Sequence, residues 1–294
     1  PAVQSSENGN LLRVQYSRVA FVFDKSTRLV TSYKVKGTEY FHEGFGIQPN
    51  FWRAPNDNDY GSQMPKRLQI WKQSSKNFNV VDASLAMDGK DAVLKVSYLL
   101  AAGNLYIATY RIHPSGVVTA YYTFTSTEME AAKTEASEAT LMATFTPGNE
   151  AIRKESSKLV VPRIGVRFRL PAEMEQVTYF GRGPEENYCD RNNGTLVGEY
   201  QATAEQMYFP YVRPQENGHH TDTRWLMLKK KNGKGLAVYA DGTLEFNSLR
   251  NSIEDFDGEE ATHRDYQWGN RDAEELKDDV STATNIKPRH THIN

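Results

Sequence analysis

The sequence predicts an all-β protein of antiparallel, sandwich type, and three observations predict it. Apolar and polar residues alternate with period two in several runs, turn residues separate those runs, and helical signals are short and few. Leu12, Val14 and Tyr16 alternate with Arg13 and Gln15, and Asp24-Lys25-Ser26 and Met87-Asp88-Gly89 mark two turns. Tyr106, Ala108, Tyr110 and Ile112 alternate up to a His-Pro-Ser-Gly turn at 113–116, and Val118, Ala120, Tyr122 and Phe124 alternate beyond it, which predicts a long hairpin. Val166, Phe168 and Leu170 face one way, and Arg167 and Arg169 the other. Trp225–Leu228 and Leu236–Tyr239 flank KKKNGKG, where Asn232-Gly233 signals a type I′ hairpin. Thr203-Ala204-Glu205-Gln206 fits a capping box or one isolated turn. Pro184-Glu185-Glu186 suits a helical first turn with both carboxylates at its positive end. Residues 272–279 are charged enough to form a surface helix or nothing regular.

Composition bounds the function. A chain of 294 residues, 38% hydrophobic and 11% aromatic, can bury one large core or two medium ones. Its formal net charge of −2, with both signs interspersed, argues against nucleic acid and anionic membranes as partners. No apolar run approaches the roughly 18 residues of a membrane span. The single cysteine, Cys189, excludes an internal disulfide and permits a reducing compartment. Residues 1–10 are polar, lack a signal-peptide pattern, and read as a linker or the cut edge of a longer chain. Residues 126–158, rich in Glu, Ala, Ser, Thr and Lys, break the strand rhythm as a linker between two sandwiches or an excursion from one.

Chemistry concentrates in three loops. FWRAPNDNDYG (51–61) joins two aromatics, an arginine and a proline to an Asn-Asp-Asn-Asp cluster that favours turns over regular structure. Aromatic faces pack on pyranose rings, and amides, carboxylates and guanidinium groups bond hydroxyls. Trp52, Arg53, Asp57, Asn58 and Asp59 are therefore the first sugar-facing candidates, and a rigid loop knitted by its own hydrogen bonds is the plainer reading of the same residues. YFGRGPEENYCDR (179–191) and YFPYVRPQENGHHTDTRW (208–225) repeat the pattern and add Arg182, Glu185, Arg213, Glu216 and Asn217. A glycosidase needs two carboxyl groups, about 5–5.5 Å apart for retention and about 6.5–9.5 Å for inversion. Glu185, Glu186 and Glu216 are the available set, unless they instead cap loop amides and pair with Arg182, Arg191 and Arg213.

Other constellations fail. Asp57-x-Asp59 before Gly61 would place Leu68 at the twelfth position of a calcium loop, where it cannot ligate. His219-His220 chelates poorly if extended, and His290-x-His292 offers two nitrogens, short of a zinc site. Cys189 has no base nearby in sequence, and Gly181-x-Gly183 lacks the third glycine of a dinucleotide loop.

FWRAPNDNDYG, YFGRGPEENYCDR and PYVRPQENG together, in order, resemble the C-terminal domain of large family 2 β-galactosidases, the lactose-cleaving type, from about Leu11 to His263 and beyond. The resemblance implies one β-supersandwich domain over 11–294, related in fold to galactose mutarotase, with 126–158 as an excursion. It implies that the catalytic glutamates and their magnesium sit in a preceding (β/α)8 barrel, with no cofactor in this chain. The partners it implies are a β-galactoside sugar and that barrel, in a homo-oligomeric parent. Trp52, Trp71, Trp225 and Trp268 do not match the tryptophan of the Gly-Gly-Asp-Asp-Ser-Trp-like loop that lines the family's active site, and the domain reads as truncated before its final strands. His219-His220 also departs from the commoner residues after ENG. Two other readings stand beside this one: a freestanding carbohydrate-binding module, and a mutarotase-like epimerase using His219, His263 and Glu216.

Overall fold

Side-chain alternation becomes strand pairing: about half of the chain, 51%, is strand and 10% helix, in several antiparallel sheets, so the predicted all-β class holds. The computed structural model describes residues 9–100, 103–125, 160–211, 215–257 and 291–293. The expected excursion at 126–158, residues 272–279, Arg213, His263, Trp268, His290 and the side chain of His292 lie outside the described residues. The chain divides into two compact units: Pro1–Glu39 with Pro49–Trp52 and Lys66–Gly165, and Tyr40–Gln48 with Arg53–Pro65 and Val166–Asn294.

The first unit faces two four-stranded sheets. One has the order β1 (Leu11–Gln15), β2 (Val19–Asp24), β3 (Leu29–Val35) and β4 (Thr38–Glu39). Its buried side pairs Leu12 with Phe23 and Val14 with Phe21. After the short strand β5 (Gln48–Asn50), the other sheet runs β6 (Asn79–Asp88), β7 (Asp91–Leu99), β8 (Leu105–Ile112) and β9 (Val118–Thr125). There the opposed pairs alternate between small and large: Val96 meets Ala108 and Ala92 meets Ile112, while Tyr98 meets Tyr106. This alternation lets the facing aromatics interdigitate. Phe21 reaches Tyr110 at 5.5 Å between ring centroids, and the Tyr16 hydroxyl donates to the carbonyls of Lys90 (2.7 Å) and Ile112 (3.2 Å). Phe51, fully buried, stands edge-on to Tyr106 at 5.2 Å and touches Trp71 and Phe124 at 6.3 and 6.0 Å. Its backbone N–H donates to Ser75 Oγ at 2.8 Å, at the end of a short helix, Gln69–Ser74.

The second unit carries the strand order β12 (Leu196–Thr203), β11 (Gln176–Gly183), β13 (His219–Lys229), β14 (Gly235–Leu249), β15 (Thr291–Ile293) and β10 (Gly165–Leu170). Phe168 and Leu170 face its core, as the alternation requires. On the other face of β10, the guanidinium groups of Arg167 and Arg169 lie 5.5 and 4.2 Å from the Phe45 ring centroid, and Arg167 forms a bidentate pair with Glu254 (2.7 and 2.9 Å).

Three local expectations are corrected. Gly233 alone has positive φ (82°), and Lys230 N–H bonds Lys234 O at 2.8 Å. The β13–β14 connection is therefore a three-residue loop with glycine in the left-handed position, since a type I′ turn would also put Asn232 there. Pro184-Glu185-Glu186 forms a bend after a cis Gly183–Pro184 bond, with Glu186 drawn into side-chain contacts instead of a helix. Conversely, Asp57–Gly61 is a single helical turn (α1), because the Asn56 side chain that favours turns also serves as a helix N-cap. Thr203 and Gln206 exchange both capping-box bonds (2.8 and 3.2 Å), yet the segment stays one isolated turn.

Phe51→Ala would empty the aromatic cluster of the first unit. The expected loss is about 3–5 kcal/mol, read as a lower urea midpoint at unchanged slope.

Candidate functional site

Residues from all three sequence loops gather in the second unit. In the first loop, Arg53 forks onto Asp59, Nη1 to Oδ2 at 2.5 Å and Nη2 to Oδ1 at 2.8 Å. Asp59 Oδ2 also accepts the Asn56 N–H, and Asn56 Oδ1 accepts the Asp59 N–H, both at 2.9 Å, closing a capping box. Asp57 and Asn58 lie exposed on α1. Trp52 belongs to the first unit and is only 3% exposed; its carbonyl accepts from the Asn50 side chain.

The second loop is built on Asn187, whose side chain is buried and uses all its bonding capacity. Its Oδ1 accepts from Thr221 N–H (3.0 Å) and Oγ1 (2.6 Å), and its Nδ2 donates to the carbonyls of Arg182 (3.1 Å) and Glu185 (3.0 Å). Next to it, the Glu186 carboxylate accepts from Gly218 N–H (2.8 Å), Arg191 Nη2 (2.7 Å) and the Tyr211 hydroxyl. Arg182 is held by Asp222 (2.5 Å) and the carbonyls of Thr195 (2.9 Å) and Asn192 (3.3 Å), while Glu185 is exposed. Gly181 is not a phosphate-loop glycine. A Cβ there would lie 2.3 Å from Thr223 Oγ1 and 2.9 Å from Thr223 Cα, at the point where the register of β13 with β14 shifts.

The third loop centres on Asn247 of β14. Its Nδ2 donates to Asn217 O and to Glu216 Oε1 (3.2 Å), which turns Oδ1 toward His219 Nδ1 at 2.9 Å. With Asn247 in that orientation, His219 Nδ1 is the donor, and its Nε2 lies 2.9 Å from a Glu245 oxygen. Tyr188 stacks on the His219 ring (5.3 Å, 15°), and Arg191 lies 5.2 Å over Tyr188. Asn217 clamps Phe209, accepting its N–H (2.9 Å) and donating to its carbonyl (2.6 Å). Burial pulls the Arg53 guanidinium pKa down, but Asp59 first, then Glu216 and Tyr188, raise it above its ordinary value. The three loops therefore share one electrostatic neighbourhood. His220 takes a different course, as opposite-facing neighbours on a strand should. Its Nδ1 lies 3.1 Å from both Tyr179 Oη and Arg182 O, and burial pushes its pKa down to about 4, against the Arg182 bond that raises it.

Chemically, this is a braced polar surface with Arg53, Tyr188, Arg191 and Glu245 toward its accessible side. Among the described residues, no three His, Cys, Asp or Glu side chains are grouped to hold a metal ion. Of the epimerase candidates, His219 and Glu216 both bond the Asn247 amide, which places them near one another. Sequence reasoning singled out Arg53, Asp59, Arg182, Glu186, Glu216 and Asn217 but did not choose Asn187, Tyr188 or Asn247. One signal was available for Asn247: asparagine is depleted in strands, so one inside an apolar strand needs a partner.

The arrangement is that of an all-β sandwich protein whose ordered polar loops cluster at a sheet. The profile of the beta galactosidase small chain family matches residues 15–291, and the chain belongs to that family. It is 29% identical over 85% of its length to a β-galactosidase of Priestia megaterium, covering 21% of that protein. It is 27% identical over 90% of its length to one of Streptococcus thermophilus, covering 23%. A β-galactosidase small subunit of Latilactobacillus sakei is 26% identical over 72% of this chain and 63% of its own length. The chain thus spans about a fifth of the length of the first two relatives.

Two outcomes follow from this geometry. Asp59→Ala removes the partner of a half-buried guanidinium and one side of a capping box, at an expected cost of about 1–3 kcal/mol in chemical denaturation. The folded pKa of His220 lies below its unfolded value of 6.5, so the unfolded chain binds the extra proton in the window between them. Stability is therefore full above about pH 6.5, falls on acidification, and reaches its full loss below about pH 4, on the order of 3 kcal/mol. His220→Gln should flatten that window in a pH series of melting curves.

Proposed function

We propose that this chain is a non-catalytic β-galactosidase domain that works with a catalytic (β/α)8 barrel. The barrel supplies the two glutamates and the magnesium, and hydrolyses terminal β-D-galactosyl groups with retention through a covalent intermediate. The observation that carries the reading is how the loop carboxylates are used. Asp59 is held by Arg53 and the Asn56 N–H, Glu186 by Arg191, Tyr211 and Gly218, and Glu216 by Asn247. A nucleophile and an acid must instead flank one glycosidic bond, the nucleophile at the anomeric carbon and the acid at the leaving oxygen, with their environments pushing their pKa values apart. Family membership and the small-subunit relative support the same division of labour.

The sugar-facing role falls to the accessible side of the braced cluster. Arg53, Asp57, Asn58, Arg182 and Glu185 position the loops or meet the galactoside, and Asp59, Glu216 and Asn217 brace them. The parent works as a homo-oligomer, and this chain binds no cofactor of its own.

Hydrolysis of o-nitrophenyl-β-galactoside tests the reading. Activity is expected only when a barrel-bearing portion is present, and turnover by the isolated chain would return Glu185, Glu186 and Glu216 to the catalytic role. In a barrel-containing protein, Arg53→Ala is expected to raise KM or lower kcat/KM by about tenfold, the loss of one charge-assisted contact. Unchanged kinetics with unchanged folding would remove the loop from the substrate's surroundings.

A further inference from the structure

The outer face of the β1–β4 sheet is shaped by residue size. Across the strands, Gln15, Ala20 and Lys34 lie in one row and Arg13, Val22 and Ser32 in the next. Ala20 and Val22 therefore sit at the centre, with the longer Gln15, Lys34 and Arg13 beside them, which leaves a trough. Its two hollows, about 500 and 440 Å³, share Gln15, Ala20 and Lys34 and so form one continuous depression. Arg13, Arg18, Lys34 and Lys36 are exposed around it, and among the described residues none of the four forms an ion pair. The single carboxylate lining it, Glu39, accepts from Ser32 Oγ (2.5 Å) and Tyr33 N–H (2.9 Å).

Charging an edge strand discourages sheet-to-sheet association, and that accounts for Arg13 on β1. It does not account for Lys34, which lies on an inner strand, or for Arg18 and Lys36 in turns. Four like charges around one depression repel each other and are retained at a cost, in a chain whose net charge is −2. Arg13 lines one hollow, Arg18 and Lys36 the other, and Lys34 both, so the charges run from one hollow into the next, which suits an extended acidic segment better than a small anion. We propose that this trough docks an acidic surface segment of the catalytic barrel portion, its carboxylates meeting Arg18, Lys34 and Lys36. The inference rests on the association proposed above and adds the surface that mediates it.

The test measures association of the full chain with a separately supplied barrel-bearing portion, in low and high salt. The variant Lys34→Glu/Lys36→Glu is compared with Lys231→Glu/Lys234→Glu, which makes the same net charge change in the exposed β13–β14 loop. The trough variant is expected to associate about tenfold more slowly at low salt, with the difference lost in high salt, because rim charges act on encounter. The loop variant should stay within about twofold of the unaltered chain, and circular dichroism should show all three folded. If the unaltered chain does not bind the barrel portion, both the association and the trough's occupant are wrong. If it binds and the trough variant behaves like the loop variant, only the trough assignment falls.

Discussion

The buried amide of Asn187 organises the polar half of this molecule. Taking a side-chain amide out of water costs several kcal/mol unless its bonds are replaced, and Asn187 replaces all of them. Two bonds hold its own loop and two reach Thr221 on β13, so the loop following β11 is fixed to the neighbouring strand. That attachment delivers Glu186 to the Gly218 N–H and Tyr188 to the face of His219. Asn217 and Asn247 repeat the device, each satisfying backbone groups of an irregular segment from within the unit. Irregular backbone is tolerated beside a buried strand because these amides supply the partners that a ladder would have supplied.

The same economy accounts for the carboxylates gathered in these loops. Each of Asp59, Glu186 and Glu216 accepts from donors that hold its geometry. Groups used in that way stiffen loops and keep arginines oriented. The two histidines following the third loop show how strand geometry separates neighbours. His219 enters the polar network, and His220 is buried neutral against Tyr179 and Phe246.

In the first unit, packing takes the place of polar bonding. Ala92 and Ala108 lie buried opposite Ile112 and Val96 in one sheet, and Phe51 fills the space between Tyr106, Trp71 and Phe124. The residues around this core are legible from period-two alternation because burial of one sheet face imposes it.

By itself, the sequence determined the class, the hairpins and the loops that matter. Alternation from Tyr106 to Phe124 and the Pro-, Asn- and Gly-rich motifs report local backbone preference, which short-range sterics and side-chain bonding decide. It also determined family membership, because three long motifs in order are specific where each alone is not. Only the tertiary structure decided that Pro184-Glu185-Glu186 would bend and not coil, that Asn232 would stay out of the left-handed region, and that Asn247 would orient His219. Glu186 reaches Gly218 across 32 residues, and Asn247 reaches Glu216 across 31. Bonds at that separation outweigh the local propensity of either partner, and no window of sequence contains both.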